Sequence, residues 1–153
     1  MSKNQIEDSL IRNRAPNNIS NYILRFAAIL SSLISIYMLF GVGNFLNTYV
    51  LLDTEYLYAM IALLLPLPFI IYHPTPRRGN KIPWYDIIFA ASTFIIASYF
   101  CYNGSLILEE GWEYLAPIYA KIMAFILWVL VLEASRRAGG NAIFIICLII
   151  SIY

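Results

Sequence analysis

Ile87-Ile88-Phe89-Ala90-Ala91-Ser92-Thr93-Phe94-Ile95-Ile96-Ala97-Ser98-Tyr99-Phe100 is apolar on almost every face of a helix. A barrel strand would instead alternate apolar and polar side chains over ~10 residues. The same all-round apolarity recurs over 122–132. A helix without a polar face is stable only where its whole circumference is buried, and lipid provides that burial. The stretch therefore predicts an all-α, polytopic membrane protein.

Working outward, apolar runs cover about 22–40, 56–72, 87–102 and 118–132, with an incomplete fifth over 141–153; none has an acidic residue in its middle. A hydrocarbon core of ~30 Å needs about 20 helical residues at ~1.5 Å each, so interfacial residues must extend several of these runs. Hydrophobic residues make up 61 % of the chain, and its mean hydropathy is +0.71. A water-soluble domain is roughly half apolar, so the composition excludes that class.

Net charge is only +1, but the charges are sorted. Lys3, Arg12, Arg14 and Arg25 precede or open the first run, Arg77, Arg78 and Lys81 lie between the second and third, and Arg136 and Arg137 follow the fourth. The alternate gaps hold Asp53, Glu55, Glu109, Glu110 and Glu113, with Lys121 their one cation. Because Lys and Arg are retained on the cytoplasmic side during insertion, the N-terminus and the gaps 73–86 and 133–140 are expected there. The gaps 41–55 and 103–117 then face outward. The polar tail 1–21 is too long, and the following run lacks the small-residue site, for a cleaved secretory leader. Ile6, Leu10 and Ile11 share one face of a short helix that would rest on the membrane surface; a mobile tail is the alternative.

Several residues carry specific expectations. Ala27, Ser31 and Ser35 recur every fourth position, and Ala91 and Ser98 are seven apart, so both stripes let helices approach closely. Pro66 and Pro68 remove backbone donors inside the second run, which predicts a bend or an early helix end. Arg77, Arg78 and Lys81 suit phosphate headgroups, and Trp84 and Tyr85 suit the water–lipid boundary. Asp86 opens the third helix, where a carboxylate meets the positive dipole end; it is assigned to the same interface. Glu133 stands three and four residues before Arg136 and Arg137, the spacing of ion pairs on one helix face, with docking to another cytoplasmic element as the alternative. His73, Cys101 and Cys147 have no companions that would make a metal site or a disulfide. No catalytic, cofactor-binding or metal-ligating residues are expected. Membrane lipids are the first expected partner, and nucleic acid is not one.

Pro83-Trp84-Tyr85-Asp86, Val131-Leu132-Glu133-Ala134-Ser135-Arg136-Arg137 followed by Gly140 and another apolar run, and Tyr22-Ile23-Leu24-Arg25-Phe26-Ala27-Ala28 together resemble the N-terminal region of fused TRAP transporter permeases of the TAXI type. The resemblance covers about residues 20–153. It implies the smaller membrane portion of a tripartite, ATP-independent importer in the bacterial inner membrane, driven by an ion gradient. Its implied partners are a large permease domain, in the same or a separate chain, and a periplasmic solute-binding protein. That family continues for several hundred residues further, so the chain is expected to be an N-terminal fragment or a split gene product without its own transport site. Charges confined to the helix ends agree with a scaffold, since an ion-coupled carrier needs polar groups at mid-membrane depth. A small membrane-anchoring or interaction protein with no transport role is the alternative.

Overall fold

The computed structural model describes residues 18–46, 49–72 and 83–152. Every regular element among them is helical: α1 (Asn18–Leu39), α2 (Val42–Phe45), α3 (Asp53–Leu64), α4 (Leu67–Ile71), α5 (Trp84–Tyr102), α6 (Gly104–Glu109), α7 (Trp112–Leu115) and α8 (Ile118–Ile152). Four helical stretches, Ser20–Leu39, Asp53–Ile71, Trp84–Tyr102 and Ile118–Ile152, are long and apolar enough to cross a membrane. The protein is an all-α helical membrane protein. Its outward faces, with Phe26, Leu33, Ile95, Phe125 and Ile149 all exposed, are covered by lipid.

The second run divides at its prolines. Leu65 still donates to the Ile61 carbonyl at 2.9 Å, but Pro66 and Pro68 have no N–H to give, and α4 starts again from Leu67. α3 packs against α1 and most extensively against α5, while α4 and α5 both reach α8. Ser35 near the end of α1 meets Tyr56 near the start of α3 at 3.1 Å, and Cys101 at the end of α5 meets the Glu55 carbonyl at 3.3 Å. Successive spans therefore run antiparallel. One end of the bundle gathers α4, the start of α5 and residues 133–140; the other gathers α2, the start of α3, α6 and α7.

The inward face of α5 consists of Asp86, Ala90, Thr93, Ala97 and Phe100, which recur at helical spacing. Ala91 is exposed and Ser98 half-buried, so within this chain the small residues that turn inward are Ala90 and Ala97. Their face lies one position, about 100°, from that of Ala91 and Ser98, because the buried Asp86 fixes which side of α5 turns inward. In α1, Ala27 is buried and Ser31 and Ser35 are half-buried.

The fourth run extends further than its apolarity suggests. Residues 133–139 continue α8 as helix, and the break comes at Gly140 with φ 79° and ψ −176°. That conformation is open essentially to glycine alone. A Cβ on the neighbouring Gly139 would stand 2.8 Å from the Ile143 Cβ, so the turn has no room for a side chain there either. Trp128 donates its indole N–H to the Ser151 hydroxyl at 2.5 Å, across 23 residues. In a straight helix that separation would be ~35 Å. The chain thus reverses at Gly140, and the final helical segment lies back along the fourth span.

Candidate functional site

The most distinctive chemistry lies at the end where α4, α5 and α8 converge. α5 begins after Pro83, whose extended backbone leads into the first turn, and Asp86 sits in that turn, its N–H donating to the Pro83 carbonyl at 3.1 Å. Its carboxylate is completely buried, 0 % exposed, and faces Arg137 of α8, 2 % exposed. Arg137 Nη1 donates to Asp86 Oδ1 at 2.7 Å, and its Nε donates to Glu133 Oε1 at 2.8 Å. Arg136 grips the same Glu133 with two bonds, Nε to Oε2 at 2.7 Å and Nη2 to Oε1 at 2.8 Å. Phe69 of α4 and Phe89 of α5, adjacent rings 5.8 Å apart, both pack against the Arg137 guanidinium, which lies 5.0 and 5.7 Å from their centroids.

Each part has a local cause. Glu133, Arg136 and Arg137 share a face because i+3 and i+4 positions stack on a helix. Phe69 enters because the chain restarts as α4 after the prolines, and Ala90 and Ala134 are small enough for α5 and α8 to close around it; Phe69, Ala90, Leu130 and Ala134 form one core cluster. Among the described residues two carboxylates face two guanidinium groups, and this matching of opposite charges matters, since an unpaired buried charge costs several kcal/mol even after relaxation. The aromatic faces add cation–π attraction where water is excluded.

Arginine stays protonated and donates from a rigid fork, which suits holding rather than proton transfer. The arrangement is a latch that fixes three segments, two of them 51 residues apart in the chain. The expected Glu133 pairs to Arg136 and Arg137 are both present. Arg137 also docks onto another element, so the two readings of this stretch coexist. Asp86 is corrected from an interfacial group to a fully buried one, because Arg137 reaches it. Trp84 is exposed beside it and Tyr85 sits at the margin, their rings 6.3 Å apart. Arg77, Arg78, Lys81, His73 and the tail up to residue 17 lie outside the described residues.

The opposite end buries a second carboxylate, which the sequence reading had grouped with the outward-facing acids. Glu55, 4 % exposed, sits in the first turn of α3. It accepts the Tyr49 hydroxyl at 2.6 and 2.7 Å and the Leu52 N–H at 3.2 Å. The latter bond closes the start of the helix as a capping glutamate does, three residues after the cap. Gly104 makes the burial possible: a Cβ there would lie 2.3 Å from Glu55 Cγ. The Tyr37 hydroxyl donates to the Tyr49 carbonyl, holding the chain ahead of α3 against α1. The Tyr49 phenol is pushed above its ordinary value, first by its hydrogen bond to Glu55 and then by burial. The spacing Leu52 to Glu55 was the available sign in the sequence; nothing local announced Gly104, Phe69 or Phe89 as neighbours.

Among the described residues no group of three or more His, Cys, Asp or Glu side chains stands close enough to hold a metal ion. Comparison with protein families, curated proteins and solved structures finds no match for this chain.

Proposed function

We propose that this chain is the scaffold portion of a TRAP-type secondary transporter in the bacterial inner membrane. Its N-terminus is cytoplasmic in this reading, and it holds a large permease domain without performing catalysis or transport itself. The observation that carries the reading is the meeting of the two motifs on which the resemblance rests. Pro83-Trp84-Tyr85-Asp86 and Leu132-Glu133-Ala134-Ser135-Arg136-Arg137 are joined through the 2.7 Å bond between Arg137 and Asp86. Residues that recur together in a family pattern and touch in space form one structural unit, and here that unit is a rigid latch. The buried polar groups also suit a scaffold: Asp86 and Arg137 lie at one end and Glu55 at the other, while Thr93 in between bonds its own helix at Phe89. None of these forms a mid-membrane acid–base pair of the kind a coupled carrier uses.

The test is co-expression of the tagged chain with a large TRAP permease portion and its solute-binding protein. Co-purification of the permease portion, with uptake that depends on this chain, is expected. If the chain neither associates nor supports uptake, the reading fails.

A further inference from the structure

The two ends of the bundle differ in what they expose. Five large apolar or aromatic side chains are at least 80 % exposed among the described residues: Leu39, Phe45, Tyr102, Tyr114 and Leu115. All five lie at the end that holds Glu55, on α1, α2, α5 and α7 or at their termini. The gaps 41–55 and 103–117 contain the short helices α2, α6 and α7. At ~1.5 Å per residue, six-residue α6 and four-residue α7 are ~9 and ~6 Å long, too short to enter a bilayer core as spans. They connect two spans at the bundle's end, and the Trp112 indole donates to Glu110 at 2.7 Å, tying α7 to the end of α6.

We propose that these short helices and the ends of α1 and α5 form a collar immersed in one phospholipid leaflet at the boundary between headgroups and acyl chains. The occupant is lipid because the exposed collar continues the lipid-covered faces of the spans: Leu39 follows Leu33 and Ile36 on α1, and Leu115 precedes the exposed Ile118 and Ile122 of α8. Its distribution favours lipid too. α1 and α8 do not touch, with α3, α4 and α5 between them, so the exposed side chains occur on separate flanks. A leaflet surrounds every flank, whereas one protein partner covers one side. The chemistry fits the same depth, since tyrosine and phenylalanine beside the exposed Asp53, Glu109 and Glu110 place apolar bodies in lipid and charges in water.

Spin labels provide the test. Phe45→Cys and Tyr114→Cys are made separately in the full chain carrying Cys101→Ser and Cys147→Ser, labelled, and reconstituted in phosphatidylcholine vesicles. Phe125→Cys, in the middle of the apolar run 118–132, serves as the lipid reference. Labels at 45 and 114 are expected to collide several-fold more often with oxygen than with a water-soluble nickel chelate, at shallower depth than the label at 125. An excess of nickel collisions at either position would place it in water, and exclusion of both probes would place it under protein; either result overturns the collar. Leu115→Cys replaces whichever variant does not yield a monodisperse protein.

Discussion

Asp86 and Glu55 are both carboxylates in the first turn of a membrane helix, and both are buried, yet the two ends of the molecule satisfy them differently. Asp86 is matched by the permanent cation Arg137, which is itself shared with Glu133 and packed against the adjacent rings of Phe69 and Phe89. Glu55 is matched by neutral donors, the Tyr49 hydroxyl and the Leu52 amide. A charge pair across 51 residues makes each partner dependent on the other and locks separate helices together. Neutral donors within six residues of Glu55 order one helix entry and leave less at stake elsewhere.

The largest effect that would break this contrast is removal of the Arg137 charge. Arg137→Gln breaks the buried ion pair with Asp86 and is expected to destabilise the fold by about 3–5 kcal/mol, read as unfolding of the detergent-solubilised protein. Combining Arg137→Leu with Asp86→Leu should recover much of that loss, because both buried charges of the pair are then gone. A double variant as unstable as Arg137→Gln would show that packing around Phe69, and not charge matching, dominates this end.

A smaller effect is expected at the other end. Glu55→Gln keeps an acceptor for the Leu52 amide and a partner for the Tyr49 hydroxyl, so the expected cost is about 1–2 kcal/mol, within the range for exchanging a charged hydrogen bond for a neutral one. If it equals the Arg137→Gln effect in the same unfolding assay, the distinction between the two ends collapses.

The smallest effect sharpens the comparison through pH. Tyr49 has a folded-state phenol value above its unfolded value of about 10, so its protonated form contributes stability that is fully present below pH ~10 and lost as pH rises through the folded value. In a tyrosinate absorbance titration, Tyr49→Phe should remove one late-titrating phenol. Loss of an early-titrating one would mean that the hydroxyl does not donate to Glu55.

Much of the architecture was legible in the residues themselves. The all-round apolarity of 87–100 announces a lipid-covered helix, and the proline pair marks where the second run divides. The Glu133 pairs were legible because i+3 and i+4 neighbours meet on any helix. Which small face of α5 turns inward within the chain was not legible, since Ala90, Ala91, Ala97 and Ser98 offer two overlapping small faces and apolarity alone does not choose between them. What spacing along one helix does not reveal is that Arg137, alone of the two arginines, also reaches Asp86 of α5 and is buried there, while Glu133 and Arg136 stay partly exposed. The burial of Glu55 is not legible in its neighbours because the absence of a side chain at Gly104, 49 positions along the chain, is what makes room for it.

Sequence by itself determined what this chain dissolves in, where its long helices lie and how its charges sort between alternate gaps, because those properties depend on composition and on spacings within one or two turns. Tertiary structure alone decided which face of α5 turns inward, which of two adjacent arginines is buried and how the last segment folds back at Gly140. Those outcomes depend on pairs such as Asp86 with Arg137 and Trp128 with Ser151, whose members come into range only after the helices have packed.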